Sequence, residues 1–471
     1  MDLSVQQQAL LDDIEQKFHV KDHQLDSLLQ GFIHDMKAGL DPSSMEKSDL
    51  KMIPSYVTGE EKGTYLALEI SGIDIYVCQV VLKGDSGKLA INQYQYKIPD
   101  DYTTGDDVNV LIDYVTDCVV DFLQRVDASF DHQVTMCISL GFAIQQTSLD
   151  HGIIVGLEHD LFRFEERGLA VKVVAVANDT VCTLLAHAYQ HPTTRIGIVH
   201  GAGTNCSYYD HIDNIQSLAG HSSSNDTKDM IINTEWCSFG ARYLPLNEFD
   251  YLVDEESNNN GIHLFEKMTA GMYLGEIVRQ ILLYLCRHQV LSFVIPLDDT
   301  VVDDDDDNDD DEDDDGCLLH LPYHFDTSYM YVCEADLDDD LEDTRVILEE
   351  MCRTGKTCLS DRIVVKKICS WVGQRAATLL GTNVASVVTY MVEQGIVDSK
   401  EEFAIAISGD VYEDYPSFHP RVCGTVRSLI DEQVASRLSV GIVKHSRIVG
   451  AAIVAMMAGK TDQQRLDYLG Y

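Results

Sequence analysis

Positive charge is what this chain has least of. Against 78 Asp and Glu stand 34 Lys and Arg, leaving a net charge of −44. So acidic a surface repels nucleic acid and anionic membranes, and neither is an expected partner. Long apolar runs are also missing. No stretch approaches the roughly 18 apolar residues of a membrane span; the longest clean one runs from Ile448 to Gly459. The first residues are acidic and amphipathic, without the basic-then-apolar order of an export signal, so none is expected. The thirteen cysteines form no C-x-x-C pair and no Cys/His spacing of the zinc kind. No metal ligand set is therefore expected, and scattered thiols in odd number read as reduced, in a cytoplasmic protein.

What is present is apolar material enough, at 45% of 471 residues, for two or three domains. Leu11, Ile14 and Phe18, then Leu25, Leu28, Leu29, Phe32 and Met36, recur at three- and four-residue steps and predict two amphipathic helices. From Tyr65 the period shortens. Tyr65 to Ile70 reads as a strand, Ser71-Gly72 as a turn and Ile75 to Leu82 as a second strand. The same unit returns as Arg195 to His200, Gly201-Ala202-Gly203 and Asn205 to Tyr209. Further strands are predicted at 134–140, 172–177, 403–407 and 440–443. Helices are predicted around 110–126, from 346 onward, and from Val449 to the end. Leu337 and Leu341 predict a helix across 336–343. Two strand–turn–strand units, each followed by mixed elements, point to a duplicated α/β architecture with a cleft between its halves. Asp303 to Asp315 is acidic but for Asn308. Its default reading is a solvated, self-repelling loop, with a basic partner or a weakly held calcium ion as alternatives.

Several residues could carry chemistry. Asn178-Asp179-Thr180 follows an apolar strand, where a carboxylate faces the ligand crevice of an α/β protein and can accept a hydroxyl proton; these residue types equally suit a helix cap. Gly201-Ala202-Gly203-Thr204-Asn205 could present backbone N–H groups to a phosphate or a sugar, or be an ordinary tight turn. Glu235 and Glu276, with an asparagine, could accept hydrogen bonds from vicinal hydroxyls. Thr354-Gly355-Lys356-Thr357 mimics the end of a P-loop, but the required first glycine would fall at Glu350, and it is rejected.

Taken together, these segments resemble the eukaryotic hexokinases and glucokinases. The resemblance is carried by LKMIPSYVTGEEKGTYLA from Leu50, VANDTV from Val176, TRIGIVHGAGTNCSYY from Thr194, NTEWCSFG from Asn233, the segment Val253 to Arg279, and FDTSYMYVCEADLDDDLEDTRVIL from Phe325. It implies a two-domain actin-like ATPase (ribonuclease H-like) fold of hexokinase type. The N-terminal helices, 1–59, would pack on a large domain spanning 178–444 that contains the acidic loop 303–315. A small domain of 60–177 would be completed by the returning segment 445–471. The implied activity is phosphorylation of a hexose, with glucose foremost, at its 6-hydroxyl by Mg-ATP. Asp179 would be the general base, and Asn178, Asn205, Glu235 and Glu276 would hold the sugar. Gly72, Gly201, Gly203, Thr204, Gly409 and Arg447 fall on the segments that hold the nucleotide.

This chain departs from the family at those nucleotide turns. The first, D-x-G-G-T-N-x-R in the family, is here Glu69-Ile70-Ser71-Gly72-Ile73-Asp74-Ile75-Tyr76. Ala202 replaces the threonine of G-T-G, Asp410 follows Ser408-Gly409 where the family has D-G-S or D-G-T, and the last G-S-G turn becomes Ser446-Arg447-Ile448. The small-domain sugar clamp is altered as well, to Gln145-Gln146-Thr147 and, near 158–160, a stretch without lysine. Extra carboxylates beside a triphosphate repel it. The alternative expectation is accordingly a hexose-binding sensor or regulator that has lost productive ATP binding.

Overall fold

Two hairpins with glycine at their turns open two sheets of matching topology. The computed structural model describes residues 4–41, 49–51, 56–102, 108–126, 134–140, 144–148, 151–154, 171–215, 229–293 and 316–469. The acidic run 303–315 and the clamp positions 158–160 lie outside these residues. In chain order the strands are β1 (Asp49–Lys51), β2 (Lys62–Ser71), β3 (Asp74–Gly84), β4 (Lys88–Lys97), β5 (Val134–Leu140), β6 (Ile144–Ser148), β7 (His151–Ile154), β8 (Val171–Asn178), β9 (Thr194–His200), β10 (Thr204–His211), β11 (Asp229–Asn233), β12 (Phe403–Ser408) and β13 (Leu438–Ile442). The first sheet runs β4-β3-β2-β5-β8 and the second β1-β11-β10-β9-β12-β13, with β6 and β7 paired separately. In each large sheet a three-strand antiparallel meander is extended by two parallel strands. With edge strand β1 set aside, both have the order third, second, first, fourth, fifth. The duplication expected from the sequence is present in the strand order.

The two-residue period of a strand decides which core each side chain enters. On β2 and β3, Leu66, Leu68, Ile75 and Val77 join the cluster beneath the helix Val108–Arg125. Ala67, Cys78 and Val80 join the cluster formed by the helices Asp179–Gln190 and Ser446–Leu469. Those two helices, each following the last parallel strand of its sheet, cross between the sheets. At the crossing, a side chain on Gly450 would run into the backbone of Cys182, so only glycine permits so close an approach.

The largest core surrounds a 35-residue helix, Leu359–Glu393. The N-terminal helices Val5–Phe18 and Asp22–Gly39 bury Leu11, Ile14, Phe18, Leu28, Leu29, Phe32 and Met36 against it, the stripe that the spacing predicts. A buried bidentate ion pair, Arg375 to Asp250 at 2.7 and 2.7 Å, lies under the ring of Phe18. All thirteen cysteines are free thiols. Among the described residues, no helix is long and apolar enough to cross a membrane.

Two expectations are corrected. The segment 336–341 is not helical: Leu337 is 90% exposed, and Asp336 instead caps the helix that starts at Glu342, through Thr344. Ser446-Arg447-Ile448 is not a turn but the first turn of the terminal helix. The positive φ falls one residue earlier, on His445 (φ 55°), so β-branched Ile448 is unstrained.

Candidate active site

The cap and the carboxylate readings of Asn178-Asp179-Thr180 both apply, on different residues. Asn178 ends β8 and caps the next helix, its Oδ1 accepting from the Thr180 N–H at 2.9 Å and the Thr180 hydroxyl at 2.6 Å. That leaves its amide NH2 as the group it can offer a ligand. Asp179 is the first helical residue. Burial pushes its carboxyl above the usual range, while the Arg447 guanidinium, with Nε 3.9 Å from Asp179 Oδ2, pulls it down. The turn beneath is fixed by a buried hydroxyl triad. Thr183 Oγ1 donates to the Asp179 carbonyl at 2.9 Å and lies 3.1 Å from both Ser408 Oγ and Ser446 Oγ. The end of β12 and the starts of both crossing helices thus meet at one point.

The β9–β10 turn supplies the next edge. Gly201 donates its N–H to the Gly203 carbonyl at 3.0 Å, and the Gly201 and Ala202 carbonyls accept from Gly271 and Met272 N–H at 2.8 and 3.1 Å. Gly409 holds φ at 121°, with its α-carbon so near His200 that an added Cβ would sit 2.5 Å from the His200 carbonyl. The backbones of the β9–β10 and β12 turns therefore touch without intervening side chains. On the first sheet, Gly72 (φ 57°) turns β2 into β3 with nothing near its open side. Asp74 there accepts from Gln95 Nε2 at 2.8 Å.

Beyond Thr204 a second polar cluster forms. Asn205 Nδ2 donates to Asn233 Oδ1 at 2.9 Å and to Glu235 Oε1 at 3.2 Å, and Asn233 Nδ2 donates to Glu235 Oε1 at 2.6 Å. Glu235 sits in the left-handed region (φ 50°), which folds its side chain back over the asparagines. Trp236 buttresses it from below, its Nε1–H donating to Thr204 Oγ1 at 3.2 Å.

Glu276 does not join this cluster. Its side chain is fully buried, and its oxygens accept from Arg279 Nε at 2.9 and 2.8 Å, Arg279 Nη2 at 2.6 Å, Gln280 Nε2 at 3.1 Å and the Tyr323 N–H at 2.6 Å. A carboxylate so occupied has nothing left for a sugar hydroxyl. The glutamate that reaches the cluster is Glu266, whose Oε2 accepts the Thr204 N–H at 2.9 Å. Burial, reinforced by the Glu235 charge, pushes its carboxyl up. Sequence reasoning passed over Glu266 although it lies in the same quoted segment, as it passed over Asn233 in N-T-E-W. The signal in reach was the short helix Leu264–Thr269, which ends against the β9–β10 turn.

Arg447, the second residue of the terminal helix, reaches across to β2. Its Nη1 donates to Glu69 Oε1 at 3.0 Å and to Ser71 Oγ at 3.0 Å. Cys182 and Cys206 are buried, and burial pushes their thiols up, Cys182 to about 12, so both are small apolar fillers.

Models of hexokinase sequences match this chain over residues 10–189 and 195–457. Hexokinase-1 of Schizosaccharomyces pombe is 28% identical over 98% of this chain and 93% of its own. Hexokinase-1 of Saccharomyces cerevisiae is 29% identical over 96% and 93%. Among solved structures, the hexokinase of Schistosoma mansoni complexed with glucose superposes with a TM-score of 0.78 at 27% identity, covering 96% of this chain and 99% of that one.

Proposed function

Because the chain belongs to the hexokinase family and is a hexose kinase, we propose that its substrates are glucose and Mg-ATP, that Asp179 is its base, and that it works in the cytoplasm. Asn205, Asn233, Glu235 and Glu266 form the floor that accepts and donates hydrogen bonds to the sugar hydroxyls. The 6-hydroxyl oxygen forms a bond to the γ-phosphorus as the β–γ bridging bond breaks, and its proton passes to Asp179. ADP leaves with the charge. The ATP phosphates lie against the turns at Gly72, Gly201 to Thr204 and Gly409, whose glycines leave room for close approach to the backbone. The division into 60–177 with 445–471, and 178–444 with the N-terminal helices, supplies the two lobes that close over the sugar and exclude water.

Two features support this reading: a buried carboxylate at a helix N-terminus, one residue after a strand end, and a separate cluster of amides and carboxylates of the kind that binds vicinal hydroxyls. A second reading, a hexose binder that no longer transfers phosphate, is favoured by the carboxylates of Asp74 and Asp410 at the phosphate turns. Steady-state ADP release with glucose and Mg-ATP, beside an Asp179→Ala control, separates the two. Turnover of about 1 s⁻¹ or more that vanishes in the control supports the kinase. Glucose binding without turnover supports the sensor, and neither binding nor turnover refutes both.

A further inference from the structure

Three acidic groups and one cation meet where the lobes join. Glu69 projects from β2, Asp179 from the start of its helix, Asp410 from the start of the short helix Asp410–Asp414 that follows β12, and Arg447 from the terminal helix. Glu69 and Asp179 have side chains only 10% and 13% exposed. Two carboxylates so desolvated and acting on each other cannot both stay charged without a cation. The described residues supply one from within the chain. The guanidinium is anchored on Glu69 and Ser71 and turns its Nε edge to Asp179.

We propose that Arg447 is a positioning residue, the built-in counter-cation of the Glu69–Asp179 pair, holding the Asp179 carboxylate charged and aimed into the cleft. This deepens the kinase reading and, in its catalytic consequence, rests on it. Lysine would supply the charge but not two directed edges; guanidinium does both. Other titratable neighbours do not supply a cation. On Asp179's own helix Cys182 is held as a thiol by burial. From β3, Tyr76 and Asp74 face the Glu69–Arg447 end, the phenol pushed up by burial and by both carboxylates. Asp410 adds a further negative charge beside the guanidinium. Burial and Glu69 raise the Asp179 carboxyl, and Arg447 opposes both.

The test is a ligand-free cycle followed by a pH profile. Thermal unfolding is followed at pH 5 and pH 7.5 for wild type, Arg447→Met, Asp179→Asn, and both together. The expected result is a deficit in Arg447→Met at pH 7.5 that shrinks at pH 5, where the buried Asp179 carboxylate, raised by desolvation, takes up a proton. Asp179→Asn should recover much of it at pH 7.5 by removing the unpaired charge. Equal deficits at both pH values, indifferent to Asp179→Asn, overturn the proposal. Where Arg447→Met alone fails to fold, the comparison is Arg447→Met with Glu69→Gln, which should fold and keep a smaller loss of stability toward pH 7.5, from the Asp179 carboxylate alone; failure to fold there also counts against the proposal. Glucose affinity is then followed against pH by intrinsic fluorescence. The midpoint of its acid limb should rise by about one pH unit or more in Arg447→Met, a roughly tenfold weaker binding just below it, and return only in part in Arg447→Lys, which restores the charge but not the second edge. An unmoved midpoint overturns the positioning role. A cycle that behaves as expected in a protein that neither binds nor phosphorylates glucose leaves the ion pair standing and refutes the kinase reading instead.

Discussion

Glu266 and Glu276 are ten residues apart in consecutive helices, and replacing each by glutamine should separate binding from stability. At Glu266 the amide keeps an oxygen for the Thr204 N–H, 2.9 Å away, so the fold has little to lose. What goes is the charge that would strengthen hydrogen bonds from sugar hydroxyls. A hydrogen bond to a charged group contributes about 1.5–3 kcal/mol, so glucose should bind about 10- to 150-fold more weakly with an unfolding midpoint near wild type. Glu276→Gln removes the charge facing Arg279 inside the core. Breaking a buried pair from one side costs roughly 3–5 kcal/mol. The lower end is expected here, because Glu256, at 3.1 Å and 42% exposed, still answers the guanidinium. The Glu276 variant should therefore melt at a clearly lower temperature while its folded fraction binds glucose normally. Differential scanning fluorimetry gives the first quantity and a glucose titration of tryptophan fluorescence the second. The assignment is refuted if Glu276→Gln weakens glucose binding in a protein of undiminished stability, or if Glu266→Gln leaves glucose affinity untouched.

Other outcomes follow from the same geometry. Asp179→Asn should lower turnover by about 10²–10⁴ as the base is lost, measured as steady-state ADP release. Because burial raises the Asp179 carboxyl and the base works ionised, kcat/KM should fall as pH drops through a midpoint above the ordinary aspartate value of about 3.9; a profile flat down to pH 4 contradicts this. Gly450→Ala forces a methyl into the Cys182 backbone and should cost about 3 kcal/mol or more in urea unfolding. Gly424→Ala, in the helix Phe418–Leu429 with open space around it, should instead stabilise by about 0.5–1 kcal/mol. Asp410→Ser, by removing a carboxylate from the β12 turn, should lower the KM for ATP and leave the KM for glucose unchanged.

Local pattern made much of the fold legible. Alternating apolar residues around Ser71-Gly72 and around Gly201 to Gly203 marked the two hairpins, and the three–four spacing from Leu11 to Met36 marked the helices that cover the long central one. These features are written within a few residues of one another, so periodicity reads them directly. The same rule misread 336–341, because two leucines four apart imitate a helix face. Asp336 takes the role of a cap there, and Leu337 faces solvent.

Within the site, the sequence determined the residue types: a carboxylate after a strand, glycines at turns, and amides with a glutamate in N-T-E-W. Which glutamate serves a ligand and which serves the core was decided only by packing. Glu266 and Glu276 are both glutamates on short-range helical segments, and the difference lies in whether Thr204 or Arg279 faces them. Arg447 shows the same limit over a greater span. As a sequence feature it is a cation in place of a small residue, yet its partner Glu69 lies 378 residues earlier. Such a charge pair depends on distance in space, and the sheet duplication that brings the chain's end back over its second strand is what makes that distance small.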